Sequence, residues 1–201
     1  TKDFLVKNNI TSLPVTSFAF KPITGISREA VIIFAAWLSK LYDNGLEFRL
    51  PVEAEFEYMS QTGNDTSLYA WDGKYTRDYK GCFMARFCTT IPENDTINKT
   101  DSLTFQHIVK NQNSTFTTWM NDVNNWPEPY GPVLIANFPE NRFGLFDLCG
   151  NVSEMIYEHG KTKGGSWAST ALYLQVRNSE KWEENPSDCV GFRLVCSYLK
   201  R

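Results

Sequence analysis

The stretch "PENRFGLFDLCGNVSEM", Pro139 to Met155, alternates turn residues with short apolar pieces. Gly144 and Gly150 punctuate it, and no helical period runs through it. It reads as loop-rich packing rather than as a long helix or an ordinary strand. A second stretch of the same kind follows, "KGGSWASTALYLQVR", Lys163 to Arg177. Paired glycines there permit a tight turn or a close backbone approach. The segment "LYLQVR" after it has strand-like alternation.

Outward from these stretches the chain is uneven. Residues 1–26 read as extended or irregular, punctuated by Pro14, Pro22 and Gly25. Ala30, Ile33, Phe34, Trp37, Leu38 and Leu41 recur at helical spacing, and Ser27 can accept from a first-turn N–H. The spacing predicts a helix over 27–41, ended by the turn "DNG" (43–45). "LEFRL" reads as a short strand. Pro51 suits the first position of a second helix, "PVEAEFEYMSQ", where its missing N–H costs nothing. Residues 62–132 are mostly loop, rich in Gly, Asn, Asp, Thr and Ser. Long ordered loops are usually functional or packed on their own side chains. "TKGGSW", "LYLQVR" and "VGFRLVCSYL" end the chain as three short strands or turns. Early helices and late strands argue an irregular α+β domain, one domain over 1–201.

Composition sets bounds. With 42% apolar and 14% aromatic residues, 201 residues can form a sizeable core. A net charge of -3 gives no basis for a nucleic-acid partner. The most apolar window, Ala30 to Leu38, is too short to span a bilayer. The five cysteines (82, 88, 149, 189, 196) form no C-x-x-C pair. One or two disulfides are compatible with that number, with at least one thiol left over.

Four blocks occur in order: "FRLPVEAEFEY" (48–58), "PENRFGLFDLCGNVSEM" (139–155), "KGGSW" (163–167) and "GFRLVC" (191–196). Together they resemble the formylglycine-generating enzyme, or sulfatase-modifying factor, family, and "PITGISREAVIIFAAWLS" (22–39) is similar to the helix that precedes its first block. The resemblance implies a compact, loop-rich α+β domain related to C-type lectins. The family's opening G-G-x-F-x-M-G strand has no counterpart, so the chain is expected to lack an N-terminal strand segment. Some members are copper-dependent oxidases that convert a sulfatase cysteine to formylglycine. Others serve as binding or structural parts.

In the oxidases two cysteines after the G-G-S segment bind copper. Those positions fall at Ser169 and Leu174 here. A hydroxyl is a poor substitute for thiolate toward Cu(I), and leucine offers no donor. The expectation is a catalytically inactive domain, with no catalytic residue and no copper. An oxidase with a relocated site is the alternative, and a phage or surface ligand-binding protein is another. Two histidines, His107 and His159, are too few for a three-histidine iron site. Glu53, Glu55 and Glu57 read as helix-start carboxylates paired with Arg49 or other bases.

The resemblance also implies calcium near the G-N-x-x-E segment, where Asn151 and Glu154 match; the alternative is turn bonds for Asn151 and a local ion pair for Glu154. Exposed aromatics in the 59–130 loops form the candidate contact surface: Tyr69, Trp71, Tyr75, Tyr79, Trp119, Trp126 and Tyr130. The alternative for these is packing beneath the loops. "ALYLQVRNSEKW" and "GFRLVCSYL" resemble the non-catalytic branch in gliding-motility and type IX secretion lipoproteins of Bacteroidota. That implies protein partners in an envelope assembly, or a glycan, and a periplasmic or surface location. Asp-Thr-Ile (95–97), Asp-Ser-Leu (101–103) and six Asn-x-Ser/Thr triplets are compatible with glycosylation and do not fix the source.

Overall fold

Ser27 closes the first turn of α1 (Arg28–Leu41) by accepting from the Ala30 N–H at 3.2 Å. In the computed structural model, which describes residues 20–42, 45–62, 64, 66–71, 73–88 and 131–198, this helix packs on β1 (Leu46–Arg49). The turn assigned to 43–45 and most of the long loop lie outside the described residues, apart from Gly45. The second helix, α2, runs Glu53–Gln61. It starts two residues later than Pro51, because Val52 is extended and is the cap. Glu55 Oε2 accepts the Val52 N–H at 2.9 Å, and the Pro51 carbonyl accepts from Tyr157 instead of opening a helix.

The strands are short. Next come β2 (Ser153–Met155), β3 (Lys161–Lys163), β4 (Ser179–Lys181), β5 (Val190–Phe192) and β6 (Val195–Tyr198). β1 and β6 form an antiparallel pair, with Phe48 opposite Cys196. The others form a four-stranded sheet in the order β4-β3-β2-β5, in which only β2 and β5 are parallel. The architecture is α+β, as the order of helices and strands implies.

"LYLQVR" is not a strand. Tyr173 donates to the Thr170 carbonyl, Gln175 to Leu172 and Asn178 to Gln175, so the segment is a run of tight turns. Its side-chain alternation is real, since Leu174 and Val176 are buried, but the backbone coils.

Three apolar clusters make the core. Val31, Leu50, Met155, Trp182 and Val190 join α1 to the larger sheet. Phe56, Leu148 and Ile156 sit under α2. Tyr69, Ala85, Phe87, Cys149 and Leu174 hold the loops to the Gly-Gly turn. All five cysteines are free thiols. Among the described residues no helix is long and apolar enough to cross a membrane.

Candidate functional site

The Gly164–Gly165 turn is where the two quoted stretches meet. Gly164 has φ +84°, and a Cβ there would lie 2.6 Å from the Leu148 carbonyl oxygen. Only glycine lets β3 pass this close to the Pro139–Met155 loop. The loop is stapled to the turn from both sides. Gly150 N–H donates to Gly164 O at 2.8 Å, and Trp167 N–H donates to Asn151 O at 2.9 Å.

Beyond the turn lies a buried chain of hydroxyls. Ser169 Oγ accepts from the Ser166 N–H and lies 2.9 Å from Ser166 Oγ. It donates to Glu180 Oε2 at 2.6 Å, a charge-assisted bond. Ser153 Oγ approaches the same carboxylate oxygen at 3.4 Å. Ser166 and Ser169 are both buried. The Cys88 N–H donates to the Ser169 carbonyl. Leu174 is fully buried in the third cluster, against a different set of neighbours. The position is apolar, and its neighbour Cys149 is a fully buried thiol that desolvation pushes up to about 12. Cys189 is likewise pushed up, to about 11, first by burial and then by Asp188. Neither thiol is a ready thiolate at neutral pH.

Asn151 and Glu154 are engaged within the protein. Asn151 sits at φ +68° and its Oδ1 accepts from the Val133 N–H at 2.9 Å, while Nδ2 donates to Val133 O at 3.3 Å. Glu154, 5% exposed, receives Arg193 through Nε and Nη2 on both oxygens, the shortest contact being 2.8 Å. Arg193 also donates to the Phe146 carbonyl. The guanidinium, held charged mainly by Glu154, therefore supplies the cation that this carboxylate needs. As arranged, the two side chains face different partners, Asn151 the Val133 backbone and Glu154 the Arg193 guanidinium. Asp147 lies nearby. Burial raises its carboxyl above the ordinary range, and its Oδ1 has no hydrogen-bond partner among the described residues.

The helix-start carboxylates are paired as their positions imply. Arg49 clamps Glu55 with two bonds of 2.7 Å, which holds that carboxyl down to about 2. Glu53 takes Lys161 and Lys163; the Lys161 hydrogen bond is the main reason its carboxyl is lowered. Lys163 is fully buried and donates to Glu57 at 2.9 Å. His159 meets Glu184 at the surface.

The expected aromatic surface divides. Tyr69 is a core residue, stacked on the half-buried Trp71 at 4.7 Å, so it is not presented to a partner. Tyr75 is exposed and Tyr79 is 92% exposed. Trp119, Trp126 and Tyr130 lie outside the described residues. A cavity of about 10 Å³, room for one water, lies between Trp71, Leu148 and Cys149. A shallow hollow of about 320 Å³ lies on α2 beside Ala54, Tyr58 and Met59. Neither is lined by Ser166, Ser169 or Leu174. Sequence reading missed Glu180 altogether. Its bond to Ser169 follows from the β3–β4 pairing, which no spacing in the sequence announces.

Residues 7–198 match the model of the sulfatase-modifying factor enzyme 1-like domain. No curated protein matches significantly. Among solved structures, Treponema denticola variable protein 1 superposes with a TM-score of 0.59 at 18% identity, over 93% of this chain and 75% of that one. PvdO from Pseudomonas aeruginosa gives 0.52 at 20% identity, over 88% of this chain and 62% of its own. CarF gives 0.53 at 17%, over 90% and 69%. At such identities the likeness is one of fold.

Proposed function

The chain belongs to the sulfatase-modifying factor enzyme 1-like domain family, and on that premise we propose that it is a non-catalytic member serving as a binding or structural part. The observation that carries this is the fate of the two copper positions. Ser169 is a buried hydroxyl bonded to Glu180 and Ser166, and Leu174 is a core side chain. Copper held by thiolates needs two soft donors converging on one ion. Here one position offers a hard oxygen already committed to a carboxylate, and the other offers methyl groups. The Gly-Gly turn, the loop staples and the Glu154–Arg193 pair keep the fold without that chemistry.

The partners in this reading are other proteins of an envelope assembly, as the resemblance of "ALYLQVRNSEKW" and "GFRLVCSYL" implies. Among the described residues of the expected contact surface, Tyr75 and Tyr79 on the 73–83 loop are exposed. The reading includes no calcium step, since Arg193 already balances Glu154.

The test is turnover. Purified chain, loaded with Cu(I) under oxygen and given a sulfatase-type cysteine peptide, is expected to leave the cysteine unconverted by mass spectrometry. Copper-dependent conversion to formylglycine, abolished by no change at Ser169, would establish a relocated oxidase site and overturn the proposal.

A further inference from the structure

Helix α1 is apolar on both faces. Its inner face, Arg28, Val31 and Ala35, is buried on the core. Its outer face carries Ile32 at 52%, Ile33 at 68%, Trp37 at 53% and Leu41 at 59% exposed. A helix that is hydrophobic all round is ordinarily covered on all sides. These four side chains leave roughly 400 Å² of apolar surface in water, within the range of the largest patch on a typical monomer, which is often a contact site.

The order of residues on that face says what fits it. Glu29, Ile33, Ala36 and Lys40 are all exposed and follow one another at spacings of four, three and four. They form one stripe along the helix, since 3.6 residues make a turn. Ile32 and Trp37 flank it on either side. The stripe is acidic at its N-terminal end, basic at its C-terminal end and apolar between, with a small residue near its middle. Such a stripe is complementary to itself when reversed. We propose that α1 pairs antiparallel with α1 of a second copy of this chain across a two-fold axis. In that register Glu29 meets Lys40 of the other copy and Ile33 meets Ala36, each contact occurring twice, while the Ile32 flank faces the other copy's Ile32 and the Trp37 flank its Trp37. Ala36 lets the two backbones approach, and the ridges made by i, i+4 neighbours interdigitate. A two-fold interface uses the same patch on both copies, which is what a reversible stripe provides. The helix supplies about half the area of a standard interface, so the dimer is concentration-dependent.

Sedimentation velocity on the full chain, from low micromolar to near-millimolar, is expected to show a reversible monomer–dimer equilibrium. Ile33→Glu, at a solvent-exposed position, leaves the circular dichroism spectrum unchanged and weakens dimerisation at least about tenfold. Glu29→Lys weakens it by about two- to fivefold through paired lysines, and the swap E29K/K40E restores it. A monomer at every concentration overturns the proposal, as does a dimer that Ile33→Glu leaves intact. A dimer weakened by Ile33→Glu but not restored by the swap overturns the antiparallel register.

Discussion

Lys163→Met tests the burial of charge under the Gly-Gly turn. The Lys163 side chain is 0% exposed and its ammonium lies 2.9 Å from Glu57 and 3.5 Å from Glu53. Removing one partner of a buried pair costs about 3–5 kcal/mol, because the other charge stays behind. Glu53 and Glu57 are 28% and 21% exposed, so water relieves part of that loss. Lys161 also continues to serve Glu53. The expected loss is therefore about 2–4 kcal/mol at pH 7, with methionine filling the volume. Urea unfolding followed by tryptophan fluorescence gives the number from the midpoint and slope. The sign of the pH dependence is fixed. In the native chain Glu53 is lowered from 4.5, first by the Lys161 hydrogen bond. Its contribution is present above the unfolded value and fades as the pH falls through the folded one. In the variant Glu53 lacks Lys163 and takes up its proton more readily when folded than it does in the native chain. The deficit should then shrink between pH 6 and about 4. A loss below about 1 kcal/mol, or one equal at pH 7 and pH 4, would refute a buried ion pair as the reason for this lysine.

Three further outcomes follow from the same geometry. Glu55→Gln removes a carboxyl held down to about 2 by Arg49, so the native chain should lose stability between about pH 4.5 and 2 while the variant's profile is flatter there; the pair is more than a third exposed on the Glu55 side, which keeps the effect near 1 kcal/mol in acid titrations. Arg193→Met leaves Glu154 buried and unbalanced, costing about 3–5 kcal/mol in denaturant, and millimolar calcium should not raise the Tm of the native chain, a shift of several degrees being the contrary result. Leu174→Ala opens a cavity in the third cluster and should cost about 2–5 kcal/mol by urea unfolding, whereas a near-neutral result would mean that the position is not core.

The first helix was legible from its serine cap and its run of apolar residues, both local, but the apolar period named the wrong face: Ile33, Phe34, Trp37 and Leu41 are exposed, and Val31 and Ala35 are buried. The second was read two residues early, since a proline at a helix start is permitted but not required, and Glu55 capping the Val52 amide moved the boundary. "LYLQVR" misled for a physical reason: Leu174 and Val176 are buried as alternate strand residues would be, yet the backbone there closes its bonds within three residues. The Gly-Gly turn, and Ser169 and Leu174 at the positions where the oxidases carry cysteines, were visible in the residues themselves. The contacts these positions make were not. Ser169 to Glu180 and Lys163 to Glu57 are contacts made by strand pairing and by packing across more than a hundred residues in the second case, and no periodicity records them. Tyr69 looked like its neighbours in composition, and only packing separates it from the exposed Tyr79.

The most direct test of the central claim is a Cu(I) titration of the purified, reduced chain against a chromophoric chelator. With a hydroxyl bound to Glu180 at one position and a buried leucine at the other, the chain is expected to leave the chelator's copper untouched, like a protein with no paired thiolates. Withdrawal of one equivalent of Cu(I) per chain, at an affinity that competes with the chelator, would contradict it.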